Sequence, residues 1–128
     1  LVRVPDDGTA VEVLNAGHPP PVHFHRHTTS LWTATGPLLG LAGAVHSVHT
    51  TPVTEGDVIV MCTDGLEEAR AGDGSLLGEA RLLAVATAWA NEPPQCVADA
   101  LVDAALEHSN RRLRDDALVV VLRKNDRA

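Results

Sequence analysis

Apolar and polar positions change their period several times along this chain, and each change marks a predicted element. Leu1–Val4 and Ala10–Asn15 are short strand-like runs flanking Pro5-Asp6-Asp7-Gly8, a pattern that predicts a β-hairpin reversed at its Asp-Gly pair. Val11 and Val13 alternate with Glu12 and Leu14, so the second strand is expected to bury at least one face. Asn15-Ala16-Gly17-His18-Pro19-Pro20-Pro21 reads as a rigid loop. Further strands are predicted at Val22–Arg26, Leu31–Thr35 and Val45–Thr51, with Gly36–Leu41 as an apolar turn between the last two. Thr54–Asp57 reads as a turn, and the unbroken apolar run Val58–Cys62 as a buried central strand.

Beyond Cys62 the period lengthens. Leu66–Ala71 predicts a short helix ended by Gly72-Asp73-Gly74. Glu79–Ala90 carries Leu82, Leu83, Ala86 and Ala90 at helical spacing. Pro93-Pro94 suits the first turn of a helix over Gln95–Ser109, with Val97, Leu101, Ala104 and Ala105 on one face and Val102 and Leu106 beside it. Ala117–Arg123 is predicted as a returning strand buried on both faces, and Lys124–Ala128 as a polar tail. Strands, then helices, then one returning strand predict an α+β fold, an antiparallel sheet layer with flanking helices.

Composition narrows this picture. At 128 residues the chain is one domain or a piece of one. It starts without Met, and Leu1–Val4 already resembles the middle of a strand, so we expect a piece of something longer. One Phe, two Trp and no Tyr make the core aliphatic, and the net charge of −7 argues against nucleic acid or an anionic membrane as a partner. No apolar run approaches the roughly 20 residues of a membrane span, and no signal-peptide pattern is present. Cys62 and Cys96 lie in apolar contexts without CxxC spacing and are expected to be buried thiols in a reducing, cytoplasmic compartment.

The candidate chemistry is acidic. Asp64 stands where the run Val58–Cys62 ends in Thr63-Asp64-Gly65, and a glycine there lets the backbone turn sharply. A carboxylate at the end of a buried strand is costly unless it is hydrogen-bonded, paired or bound to a cation. Asp115-Asp116 precede the last apolar run in the same way. Two acidic points at the ends of two buried strands suggest a hard-metal site built on a sheet. The ordinary alternatives are a helix cap at Asp64 and a solvated turn at Asp115-Asp116.

Other clusters carry less. His23, His25 and His27 alternate and would share one face of a strand. That arrangement could chelate a transition metal, but the solvent-facing polar side of an edge strand is the favoured reading. His46 and His49 are predicted to face opposite ways. Glu67-Glu68 suit a first helical turn for dipole reasons. Gly72, Gly74 and Gly78 follow a helix and lack the Lys-Ser/Thr of a phosphate loop. No nucleophile constellation is recognisable, and Cys62 lacks the loop that a cysteine phosphatase needs.

Four ordered motifs carry a family resemblance: LNAGHPPPVHFHR (Leu14–Arg26), GPLLGL (Gly36–Leu41), EGDVIVMCTDGLEEARAGDGSLLG (Glu55–Gly78) and RDDALVVVLR (Arg114–Arg123). Together they resemble the second half of a metal-dependent PPM-type protein phosphatase, in the branch of stage II sporulation protein E and the stress-regulator phosphatases. The resemblance implies that residues 1–128 are the C-terminal part of a single phosphatase domain, a β-sandwich flanked by helices. It implies two Mn²⁺ or Mg²⁺ ions that activate a shared water against a phosphoserine or phosphothreonine. By motif position Asp64 and Asp115 are similar to the family's metal ligands, and Gly65, Asp116 and His18 would support them. The branch further implies a phosphorylated STAS-type anti-anti-sigma protein as substrate, regulating an alternative sigma factor.

Two departures stand out. Leu118 occupies the place of the family's usual Thr in the last motif. The family's Gly-Gly-Asp and Asp-Val-x-Gly-His-Gly segments, which complete the dinuclear centre, have no counterpart in residues 1–128. Half a sandwich is expected to leave an apolar sheet face uncovered, which would favour a homodimer or strand exchange. The alternative function is a non-catalytic partner-binding module or degenerate phosphatase relic.

Overall fold

The alternating N-terminal segments build two sheets, and the 3.6-period segments cover one of them. The computed structural model describes residues 1–125. Its elements are β1 (Val2–Arg3), β2 (Ala10–Val13), β3 (Val22–His25), β4 (Thr28–Leu31), β5 (His49–Pro52), β6 (Val58–Cys62), α1 (Asp64–Glu67), α2 (Glu79–Trp89), α3 (Pro94–His108) and β7 (Val119–Arg123). One sheet has the order β1-β2-β5 and the other β4-β3-β6-β7, with every pairing antiparallel. The expected α+β architecture is therefore present.

Side-chain parity along β6 explains how the layers stack. Val58 and Val60 point into a cluster with Phe24, Leu66, Val97, Leu101 and Ala105, between the four-stranded sheet and the helices. Ile59 points the other way, joining Val11, Val13, Trp32 and Val53 between the two sheets. Successive strand residues face opposite sides, so one strand serves both cores. The Arg123 guanidinium ties the end of β7 to the loop after α2, donating to the carbonyls of Ala90 (2.8 Å), Asn91 (3.4 Å) and Glu92 (2.5 Å).

Several local expectations shift once partners are visible. The strand expected over Leu31–Thr35 is instead Thr28–Leu31, because β4 is the second arm of a hairpin whose register pairs His25 with Thr28. The strand expected over Val45–Thr51 begins only at His49, where β2 starts to offer backbone partners. His46 consequently lies outside the strand, its Nε2 donating to the Pro37 carbonyl at 2.7 Å. The helix expected over Leu66–Ala71 is confined to Asp64–Glu67, because Arg70 bridges to Leu76 and Ala71 donates to the Ser75 carbonyl. The two long helices fall within a residue of their predicted limits.

The returning strand β7 is an edge strand and not buried on both faces, with Val120 38% exposed. Cys62 and Cys96 are free and half-buried, not fully buried. The expected polar tail is described only at Lys124 and Asn125, and residues 126–128 lie outside the described residues.

The histidine triplet is the largest correction. β3 is an interior strand between β4 and β6, so its His face is not a solvated edge. His23 is 3% exposed and packs against Trp32 with a tilted ring contact at 5.2 Å. Its Nε2 meets Oδ2 of the buried Asp57 at 3.0 Å, and the Nδ1 of His25 meets both carboxylate oxygens at 2.9 and 3.0 Å. The Thr54 backbone N–H donates to the same carboxylate at 3.0 Å. His27 takes no part, because Arg26 (φ 52°) reverses the chain and leaves His27 exposed.

Burial alone would push the Asp57 carboxyl up, but hydrogen bonds from Thr54, His25 and His23 and the nearby His25 charge hold it below its ordinary value of 3.8. A carboxylate depressed in the folded state stabilises the fold above its unfolded pKa, and that contribution is lost as pH falls through the folded pKa. Thermal midpoints of the parent chain should therefore drop with acidification from about pH 4 downward, and more steeply than those of Asp57→Asn. Parallel midpoint curves for the two proteins would remove this assignment.

Candidate active site at the carboxyl end of the central strand

The apolar run of β6 stops at Cys62, and Thr63 leaves it with extended backbone (φ −77°, ψ 160°) before α1. Thr63 then joins β6 to the segment leading into β7. Its N–H donates to the Leu118 carbonyl (3.0 Å), its Oγ1 donates to the Asp116 carbonyl (2.9 Å), and the same Oγ1 accepts the Leu118 N–H (2.9 Å). A hydroxyl can do both at once, which no aliphatic strand residue can.

Gly65 completes the corner for a reason different from the expected one. It is buried without a positive φ, so chain reversal is not what requires glycine. A Cβ there would collide with the carbonyl oxygen of Asp116 and lie 2.9 Å from its carbonyl carbon and 3.3 Å from that of Asp115. The structure thus brings Gly65, Asp115 and Asp116 into contact, with Asp64 as the adjoining residue. The side chains of Asp64, Asp115 and Asp116 are exposed, and among the described residues no basic group forms an ion pair with them. One Asp115 oxygen accepts the Asp116 N–H at 2.7 Å.

His18 stands beside this corner. It lines a cleft of about 200 Å³ between the two sheets together with Leu14, Met61, Thr63, Leu118 and Val120. Its position depends on Asn15, which is 3% exposed and folds the loop around its side chain. Asn15 Oδ1 accepts the His18 N–H (2.9 Å), and Nδ2 donates to the carbonyls of His18 (3.0 Å) and Trp32 (3.2 Å). The His18 Nδ1 donates to the Pro19 carbonyl at 2.8 Å. Leu118 is 60% exposed beside the cleft.

Sequence reasoning did not single out Thr63 or Asn15. Their signals were a hydroxyl residue at a strand end and an Asn two residues before Gly-His, both common in ordinary turns. Glu67 lies in α1 and Glu68 caps it, so neither joins a separate acidic cluster. Cys62 lines the same cleft, and burial pushes its thiol up to about 11, so it stays protonated near neutral pH and is no thiolate nucleophile.

Solved structures share this fold. The phosphatase domain of the cell fate determinant SpoIIE from Bacillus subtilis, presoaked with Mn, superposes with a TM-score of 0.72 at 18% identity, covering 100% of this chain and 56% of that one. The SiaA-PP2C domain of Pseudomonas aeruginosa gives 0.80 at 18% identity, covering 97% of this chain and 50% of that one. The RsbU and RsbW domains of Rv1364c from Mycobacterium tuberculosis give 0.75 at 25% identity, covering 91% and 33%. The chain thus spans little more than half the length of the SpoIIE domain structure and half that of SiaA-PP2C. No curated protein matches it. The model of one family, stage II sporulation protein E (SpoIIE), matches residues 1–125, and the chain belongs to that family.

Proposed function

We propose that this chain is the C-terminal part of a metal-dependent protein serine/threonine phosphatase domain, with Asp64 and Asp115 as its contribution to the metal site. The contact of Gly65 with the Asp115-Asp116 backbone carries the reading, because it joins two acidic points that lie 51 positions apart in sequence. The donor set fits the ions of the family. It consists of exposed carboxylates and backbone carbonyls without basic partners among the described residues, and oxygen-only sites suit Mg²⁺ and Mn²⁺. When bound, such ions neutralise phosphoryl oxygens and lower the pKa of a shared water.

The chain's own residues provide the frame. Thr63 fixes the spacing between the Asp64 turn and the Asp115-Asp116 segment through its three hydrogen bonds. Gly65 permits their contact. His18, held by Asn15, shapes the rim where a phosphorylated side chain would approach. The remaining ligands belong to the part of the domain that these 128 residues lack, and the open apolar cleft is where further chain, or a second copy in a homodimer, would pack.

The substrate we propose is a phosphorylated STAS-type anti-anti-sigma protein in the cytoplasm, in line with a family named for sporulation control. No helix among the described residues is long and apolar enough to cross a membrane. The test is hydrolysis of p-nitrophenyl phosphate and of the phosphorylated partner by the full-length parent, with Mn²⁺ and with EDTA. Asp64→Asn should lower Mn²⁺-dependent turnover by at least about 100-fold, above the loss typical of residues that merely support ligands. Unchanged turnover in that variant would remove the assignment.

A further inference from the structure

We propose that His23, His25 and Asp57 form a Zn²⁺ site at the amino end of β6, separate from the acidic corner and independent of the phosphatase reading. The Nε2 of His23, the Nδ1 of His25 and a carboxylate oxygen of Asp57 all lie within 4.8 Å of one another. Tetrahedral Zn²⁺, with bonds of about 2.0–2.2 Å, holds its ligand atoms roughly 3.3–3.5 Å apart. The nitrogen–oxygen separations here are 2.9–3.0 Å, so an ion replacing the shared protons need lengthen those pairs by only about half an ångström.

The surroundings are those of a built site. Asp57 is 2% exposed and its oxygens accept the Thr54 N–H at 3.0 Å and the Thr54 hydroxyl at 3.3 Å, bonds that can persist while the carboxylate ligates an ion. Hydrogen bonds of that kind orient a ligating carboxylate and raise metal affinity. His23 packs against the buried Trp32, their ring planes tilted by 47°, which covers the inner side of the site. The His25 side chain is 36% exposed, which leaves an entry path for an ion.

Ligand chemistry separates this place from the acidic corner. Two imidazoles and one carboxylate select a borderline transition ion, whereas the corner offers oxygen alone. Asp57 and Asp64 flank the same strand, and seven residues of extended chain put roughly 20 Å between them. An ion here would cross-link the β3–β4 hairpin to the turn between β5 and β6, where Lys124 and Asp57 also exchange a backbone bond of 2.9 Å.

The test uses the 128-residue chain, stripped with EDTA and titrated with Zn²⁺ against a chromophoric chelator, with Co²⁺ as a spectroscopic substitute. A single Zn²⁺ per chain is expected, with the strong visible absorption of four-coordinate Co²⁺ and a thermal midpoint that rises with Zn²⁺. His25→Ala, at a half-exposed position that a folded chain tolerates, should weaken binding by about 10–100-fold or more and cancel the midpoint rise. His25→Gln provides a second variant should the first misfold, as circular dichroism would reveal. His27→Ala should bind as the parent does. Absence of Zn²⁺ binding in the parent overturns the proposal. So does affinity that survives both His25 variants, or that falls with His27→Ala.

Discussion

Gly65→Ala should unfold the acidic corner, lowering stability by about 3 kcal/mol, at the upper end of what a forced extra methyl costs. The added Cβ would meet the carbonyl of Asp116, a backbone atom held by the Thr63 hydroxyl at 2.9 Å and unable to rotate away like a side chain. Either α1 or the 115–118 segment must move, and both movements break the Thr63 bonds to Asp116 and Leu118. The thermal midpoint should fall by on the order of 10 °C. Under the proposed function, the full-length parent carrying this variant should also lose Mn²⁺-dependent turnover beyond its loss of folded protein, because Asp64 and Asp115 would be displaced relative to each other. Gly72→Ala is the matched control, since its Cβ would find only an ordinary contact with Asn110 at 3.8 Å. Equal midpoints for the two variants would show that the corner can relax.

Leu101→Ala should cost about 2–5 kcal/mol. Leu101 is 1% exposed on α3 and lies in the cluster that joins the helices to Val58, Val60 and Phe24 of the four-stranded sheet. The neighbours that could collapse into the vacated space are themselves anchored: Val97 and Ala105 on the same helix, and Leu66 at the start of the acidic corner. The transfer loss and the residual cavity therefore add. Native stabilities are of order 5–15 kcal/mol, so this single truncation should consume a large part of the total. Chemical denaturation of the parent and variant measures it directly. A difference below about 1 kcal/mol would mean that the helix layer repacks freely against the sheet.

The elements that sequence made legible are those whose evidence is local. The helices of Glu79–Trp89 and Pro94–His108 followed from apolar spacing and from Pro93-Pro94, and the strand Val58–Cys62 from an unbroken apolar run. Strand limits elsewhere were set by partners. β5 begins where β2 has backbone groups to share, and β4 is placed by a two-residue reversal at Arg26 and His27. Local propensity carries no information about where a partner strand begins. The short helix after Asp64 likewise yielded to the Arg70–Leu76 bridge.

Asp64 and Asp115 were each visible as an acidic residue bordering an apolar run, a placement that suggested a shared site and that the family resemblance also implied. Their junction depends on β6 pairing with β7 in the register Cys62 to Val119, and on a hydroxyl and a missing Cβ that let two backbones touch. The histidines show the opposite outcome. Alternation correctly put His23 and His25 on one strand face, but a period of two does not say whether that face meets water or another sheet. The second sheet and Trp32 decided that it is covered, and the chain reversal after Arg26 separated His27 from its neighbours. The chain's order of residues thus settled which segments are strand or helix and which carry carboxylates and imidazoles, because periodicity and turn chemistry act within a few residues. Which of those groups meet was decided by strand order and register, because hydrogen-bonded ladders and buried layers join positions dozens of residues apart.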